Sequence, residues 1–284
     1  LKYFLISLVL LNAFFFGVYT GRYKHFPYNI LYYIYNGEPN FPPFIVHGRN
    51  FNINYYIKKD VNSRKETGVY LTYGQSNSAN FGEYGYNVKN DVFQFLLGET
   101  FVYKDPSLGA DGTGGSVWGM VGDKLINRRF HEQVVFSNCG WGGAEIEQLR
   151  TGHSFQFLVQ NYKGLLKKFG KIDGILFHQG EANNYPEGIE NYYDNFLNFI
   201  INLKENGIEV PIYLSRASLC GEKKPINDSL TNIQNKLIKN YSLIKEGPNT
   251  DLLYDKKYRR SDHCHFSLTG YEKFSDMWVE ALIK

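Results

Sequence analysis

Short apolar segments alternate with longer amphipathic segments from residue 68 onward. The apolar segments are almost continuously hydrophobic, which is typical of strands that are covered on both faces. They lie at 68–73, 133–138, 173–178, 210–217 and 250–254. Segments with the helical period lie at about 117–127, 155–169, 190–205, 229–239 and 268–282. This alternation predicts an α/β fold with a doubly wound, five-stranded parallel sheet.

The N-terminal part of the chain has a different pattern. Residues 3–19 contain no charged side chain and lie between Lys2 and Arg22. This run is long for the core of a signal peptide and at the short limit for a membrane span. We therefore interpret residues 1–25 as an uncleaved signal-anchor, with a cleaved signal peptide as the alternative. Either predicts a membrane-anchored or secreted protein, on a side of the membrane that the flanking charges leave open.

The segment between this run and the sheet is rich in Tyr, Asn and Pro and shows no clear period. We expect residues 26–67 to form an extension or stalk, and residues 68–284 to form the α/β domain.

Composition narrows the function classes. The 284-residue chain is 43% hydrophobic and 21% charged, which is ordinary for a globular protein. Its formal net charge of +3 is too small to indicate a nucleic-acid partner. Cys139, Cys220 and Cys264 lack the spacing of metal ligands, so we expect them to be small buried side chains. No pattern indicates a metal or cofactor.

Unusual polar motifs follow four of the five predicted strands. They lie at 74–77, 139–149, 178–184 and 261–267. Because sheets of this kind bind ligands at the carboxyl ends of their strands, these motifs are expected to meet at one edge. The first motif alone fits a polar turn best, since Ser and Asn favour helix starts. The other three motifs favour a functional site.

The residue types fit acyl transfer by a serine nucleophile. Serine needs a neighbouring base to remove its proton, and an acid must hold the tautomer of that base. Ser76 is the candidate nucleophile, and Asp262 and His265 can supply acid and base from one short turn. His263 is the weaker candidate base.

An oxyanion also needs hydrogen-bond donors. The backbone N–H groups of Ser76 and of Gly142 or Gly143 are candidates, with the side-chain amide of Gln179 as a third. Glu181 could support His265, bind a sugar hydroxyl or be an ordinary loop carboxylate. Asn77 and Gln75 are further candidates for support or substrate binding.

Together these motifs resemble a known family. GQSN, GWGGAEIEQL, FHQGEAN and DHCHFSLTGY, in this order, are similar to the blocks of the SGNH-hydrolase superfamily. Within it, they most resemble the sialate O-acetylesterase-like proteins, which are similar to carbohydrate esterase family 6. The stretch at 105–126 also resembles the connector between the first two blocks of these proteins. The resemblance covers roughly residues 68–284.

The resemblance implies a three-layer α/β/α sandwich with strand order 2-1-3-4-5 and a Ser76–His265–Asp262 triad. With that order, Cys139 and Cys220 leave strands that have two others between them. At ~4.8 Å per strand they would be about 14 Å apart, too far for a disulfide.

The expected activity is the removal of O-acetyl groups from a carbohydrate without a metal or cofactor. The alternatives are an O-acetyltransferase with the same triad, acting on a surface glycan, and a non-catalytic carbohydrate-binding protein.

Overall fold

The computed structural model describes residues 53–284, which contain a seven-stranded sheet of order β3-β2-β4-β1-β5-β6-β7. All neighbouring strands are parallel except the antiparallel pair β2–β3. The strands are β1 (Thr67–Gly74), β2 (Val92–Leu96), β3 (Glu99–Val102), β4 (Gln133–Asn138), β5 (Gly174–His178), β6 (Ile212–Arg216) and β7 (Ile244–Asn249). The α/β class with a mostly parallel sheet is confirmed. The prediction of five strands, all parallel, is wrong, and the strand order differs.

Six α-helices accompany these strands in the described part of the chain. They are α1 (Trp118–Asn127), α2 (Ile146–Leu149), α3 (Gly152–Phe169), α4 (Pro186–Glu205), α5 (Asp228–Asn240) and α6 (Leu268–Ile283). Five of them coincide with the segments of helical period in the sequence. The short α2 was not predicted, because a single turn has no period to detect.

The two additional strands form a hairpin at the edge of the sheet beside β4. The connection between β2 and β3 is Leu97–Gly98, with φ of 47° and 100°. Two positive φ values are the geometry of a tight hairpin turn, which glycine favours and leucine rarely adopts. The leucine hides the turn signal, so VFQFLLGETFV was not identified as two strands.

The last strand lies earlier than predicted. Residues 244–249 form β7, whereas Thr250–Leu252, inside the predicted strand, is a 3-10 helix. Among the described strands, β7 lies at the edge of the sheet and pairs only with β6, and Lys245 and Glu246 are exposed. An edge strand tolerates such charges, so it lacks the continuous apolar run of the central strands.

Helices cover both faces of the sheet, because side chains of successive strand residues point to opposite faces. On β1, Tyr70 belongs to the buried cluster that contains Trp118 of α1 and Trp278 of α6. Tyr73 instead stacks on Phe199 of α4 at 5.8 Å between ring centroids. Burial of apolar side chains on both faces fixes β1 at the centre, and its carboxyl end therefore positions the site.

Residues 53–66, which lie in the predicted extension, pack against the domain. Tyr56 is buried and its hydroxyl donates to the Pro106 carbonyl at 2.6 Å, while Val61 is also buried. The predicted signal-anchor and residues 26–52 lie outside the described residues. Within residues 53–284, no helix combines the length and apolar character needed to cross a membrane.

Candidate active site

The first candidate residue, Ser76, follows β1 directly. Gly74 ends the strand with φ of 134°, and a Cβ there would collide with the His178 carbonyl. Only glycine permits this close approach of two strand ends. The turn is then fixed by a hydrogen bond of 2.9 Å from Gln75 N–H to the His178 carbonyl. Ser76 begins a 3-10 helix (Ser76–Ser78) and is 5% exposed.

The second part of the site is the turn at 261–267, which precedes α6. His265 Nδ1 lies 2.8 Å from Asp262 Oδ2, and Asp262 Oδ1 accepts from the backbone N–H of Cys264 and His265 at 2.9 Å. Partial burial raises the pKa of Asp262, but these hydrogen bonds outweigh it and lower the pKa below its usual value. An ionised Asp262 fixes the proton of His265 on Nδ1, which leaves Nε2 as the basic atom.

The histidine ring is also held by an aromatic contact. Phe81 stacks on His265 with ring centroids 5.2 Å apart. The neighbouring Arg260 donates to the Phe81 carbonyl at 2.7 Å. His263 has a left-handed φ of 55°, and its carbonyl accepts from Gly221 N–H. The Asp262 pair therefore distinguishes His265 from His263.

The serine turn and the acid–base turn are connected through neighbouring residues. Among the described residues, no hydrogen bond joins the Ser76 hydroxyl to His265. Instead Asn77 Nδ2 donates to the Cys264 carbonyl at 3.3 Å, one residue from each of them. The two turns therefore meet at the same edge of the sheet.

The candidate oxyanion donors are not equivalent. Gly142 N–H donates to Asp111 Oδ2 at 3.3 Å. Gly143 has a left-handed φ of 67° and is exposed, and within residues 53–284 neither its N–H nor that of Ser76 has an acceptor. This favours Gly143 over Gly142 as the donor on this loop.

Gln179 is fully buried, and both hydrogens of its amide have acceptors. Nε2 donates to Asn183 Oδ1 at 2.6 Å and to the Ala144 carbonyl at 3.2 Å. An amide nitrogen has only two hydrogens, so this geometry uses Gln179 to join the loops after β4 and β5. Its role as an oxyanion donor stays a prediction.

Glu181 and its partners lie beneath the site. Its side chain is 1% exposed, and Oε1 lies 2.9 Å from both His178 Nε2 and Asn77 Nδ2. Burial raises the pKa of Glu181, but His178 and Asn77 outweigh it and lower the pKa to about 2. The structure therefore does not bring Glu181 to His265. Gln75 is also internal, since its Oε1 accepts from Ala182 N–H at 2.9 Å.

Sequence reasoning missed Arg259, which is buried next to the acid–base turn. Its guanidinium donates to the carbonyls of Cys264, Thr250 and Leu253 at 2.6–2.8 Å. Burial lowers the pKa of Arg259 to about 10, with Glu181 nearby opposing the shift. It is therefore charged at neutral pH. In the sequence, Arg259 lies close to Lys256, Lys257 and Arg260, and such a cationic stretch is typical of a solvated loop. No local signal distinguished Arg259 as a buried residue.

Two of the cysteines correct the sequence prediction. Cys220, in the loop after β6, forms a disulfide with Cys264, between Asp262 and His265. The prediction of three free, buried side chains is wrong for this pair, because the fold brings two loops 44 residues apart in sequence together. Cys139 is free and buried, as predicted.

The comparison with family models decides the classification. Residues 66–284 match the model described as "carbohydrate esterase, sialic acid-specific acetylesterase". The chain belongs to this family. This sialate O-acetylesterase-like chain is therefore a carboxylic ester hydrolase. No curated protein sequence is significantly similar to it.

Solved structures share the fold of this esterase at low sequence identity. A protein from Arabidopsis thaliana is 15% identical with a TM-score of 0.62, over 77% of this chain and 98% of that one. NanS is 16% identical with a TM-score of 0.53, over 78% and 98%. A carbohydrate acetylesterase from Xanthomonas citri is 16% identical with a TM-score of 0.51. The alignment with the Xanthomonas protein covers 75% of this chain and 55% of that one.

Proposed function

We propose that this esterase removes O-acetyl groups from a carbohydrate, with Ser76 as nucleophile, His265 as base and Asp262 as the acid. The observation that supports this most is the 2.8 Å pair of Asp262 and His265 beside the turn that contains Ser76. The description of the family model and the name of the Xanthomonas structure, a carbohydrate acetylesterase, agree with a sugar ester as substrate.

The proposed reaction has two balanced steps. Ser76 Oγ attacks the acetyl carbonyl while its proton passes to His265 Nε2, which then protonates the departing sugar oxygen. Water attacks the acetyl-enzyme with the same base, and acetate leaves as Ser76 regains its proton. Ser76 N–H and Gly143 N–H are the proposed donors to the oxyanion in both steps.

The test is a panel of acetyl esters: acetylated sialic acids, acetylated neutral sugars and a small acetyl ester without a sugar. Acetate should be released from at least one sugar ester with a higher kcat/KM than from the small ester. Adding a glycan acceptor should not divert the acetyl group, whereas an acetylated acceptor would support the transferase alternative. A protein that hydrolyses no ester and does not react with a serine-directed phosphonate would contradict both.

We also propose that the protein lies outside the cytosol, anchored or secreted through its N-terminal apolar segment. The Cys220–Cys264 disulfide supports this location, because disulfides persist in oxidising compartments. In protein from its native source, alkylation should reach these two cysteines only after reduction. Free thiols at both positions before reduction would contradict the proposal.

A further inference from the structure

Asn77 is a buried residue between the two halves of the candidate site. It follows Ser76 directly, is 1% exposed and directs its amide nitrogen away from solvent. The amide nitrogen Nδ2 donates to Glu181 Oε1 at 2.9 Å and to the Cys264 carbonyl at 3.3 Å. The side chain is therefore shielded from solvent, and both hydrogens of its amide are used within the protein.

The Cys264 peptide is held from several directions. Its carbonyl accepts from Asn77 and, at 2.6 Å, from Arg259, while its N–H donates to Asp262. Its side chain is bonded to Cys220. Because Cys264 directly precedes His265, a shift of this peptide would move the imidazole.

Of these connections, only Asn77 comes from the serine turn. Arg259 belongs to the same segment as Cys264, and Cys220 belongs to the loop after β6. Glu181 fixes the orientation of the Asn77 amide, since a carboxylate only accepts hydrogen bonds and so selects the nitrogen. His178 in turn holds Glu181 Oε1 at 2.9 Å.

We propose that Asn77 is a positioning residue, which sets the distance between Ser76 and His265 by joining the serine turn to the Cys264 carbonyl, with Glu181 fixing its amide. This inference rests on the proposed function of Ser76 and His265. Neither Asn77 nor Glu181 touches the substrate; both act through the alignment of the reacting groups. A misplacement of about 1 Å can cost about a hundredfold in rate.

The experiment measures kcat and KM on a small acetyl ester without a sugar. Asn77→Ala should lower kcat by about ten- to a hundredfold with little change in KM. Glu181→Ala should lower kcat similarly, whereas Glu181→Gln should restore most of it, because the amide oxygen still accepts from Asn77. In a double-mutant cycle, Asn77→Ala and Glu181→Ala should be strongly non-additive, because they break one connection.

Asn161 provides the matched control. It is also fully buried, and its amide donates to the Phe157 carbonyl and accepts from Leu97 N–H, both at 3.0 Å, beside the β2–β3 hairpin. Asn161→Ala should lower the melting temperature but leave kcat unchanged.

The outcomes separate the two proposals. An inactive Ser76→Ala enzyme together with a full-speed Asn77→Ala enzyme would overturn the positioning role and leave the proposed function intact. A Ser76→Ala enzyme that keeps its activity would overturn the proposed function itself. If Asn77→Ala does not fold, the Glu181 variants decide: equal kcat losses in Glu181→Ala and Glu181→Gln would overturn the inference.

Discussion

The two turns of the candidate site differ in how they are held. The serine turn is buried and is fixed by hydrogen bonds to the loop after β5, through Gln75 and Asn77. On the acid–base turn, the side chains of Asp262 and His265 are 42% and 20% exposed. That turn is fastened by a disulfide, by Arg259 and by the Phe81 ring.

The difference in burial between the two turns matches a difference in the proposed roles of their side chains. Gln75, Asn77 and Glu181, which were candidates for support or substrate binding, are buried and hydrogen-bonded within the protein. The proposed proton-transfer groups lie on the more exposed turn, where solvent water has access to them. Substitutions in the two turns should therefore differ in their effects on kcat and on thermal stability.

The largest effect is expected at the proposed nucleophile. Ser76→Ala should abolish hydrolysis, with a loss of up to about a million-fold in kcat, because the acetyl-enzyme of the proposed mechanism forms on the Ser76 hydroxyl. Ser78→Ala is the matched control, since Ser78 is buried in the same 3-10 helix and its hydroxyl has no hydrogen-bond partner among the described residues. Equal activity in the two variants would remove Ser76 from the mechanism.

The next effect tests the exposed turn. In Asp262→Asn the amide would donate to His265 Nδ1, which moves the imidazole proton to Nε2 and blocks proton transfer from serine. A loss of up to about ten-thousand-fold in kcat is expected, with normal thermal stability. Asp255→Asn, in an exposed loop just before the site, should have wild-type kinetics. A kcat for Asp262→Asn within tenfold of wild type would contradict the assignment of Asp262.

A substitution of Gln179 tests whether this buried side chain has a structural role or also takes part in the reaction. If Gln179 donates to the oxyanion, Gln179→Ala should lower kcat by about a hundred- to a thousandfold. Because both of its amide hydrogens bind protein acceptors, we expect Gln179→Ala to lose less than about tenfold in kcat on a small acetyl ester. The melting temperature should fall instead.

Gln133 is the matched control for this variant. It is buried at the opposite end of the sheet, and its amide also donates twice, to the Asn62 carbonyl and Thr67 Oγ1. Gln179→Ala and Gln133→Ala should lower the melting temperature by similar amounts. A hundredfold loss of kcat in Gln179→Ala alone would confirm the predicted oxyanion role.

The smallest effect on rate is expected from the disulfide. Cys220→Ser should lower the free energy of unfolding by about 2–4 kcal/mol, because the link no longer restricts the unfolded chain. Arg259 and Asn77 still hold the Cys264 carbonyl, so kcat at 25 °C should fall only a few-fold. Cys139→Ser is the control, because it makes the same substitution at a cysteine that forms no disulfide. A large kcat loss with unchanged stability would mean that the disulfide itself aligns His265.

Much of the fold could be predicted because its signals are local. Central strands such as β1 and β4 have mostly apolar and buried residues, and helices such as α3 and α4 show the helical period over many residues. β7 and the β2–β3 hairpin were missed because edge strands tolerate charge and the hairpin turn begins with a leucine. Neither feature leaves a periodic signal that a single sequence can show.

The sequence by itself determined the α/β class, the order of the polar motifs and the membership of an esterase family, because strand ends and short turns are encoded locally. Only the tertiary structure decided which motif residues are internal. It paired Glu181 with Asn77 and His178, placed Arg259 behind Cys264 and joined Cys220 to Cys264. The physical reason is that hydrogen-bond acceptors for buried polar groups come from segments far away in the chain, and their positions exist only once the sheet has assembled.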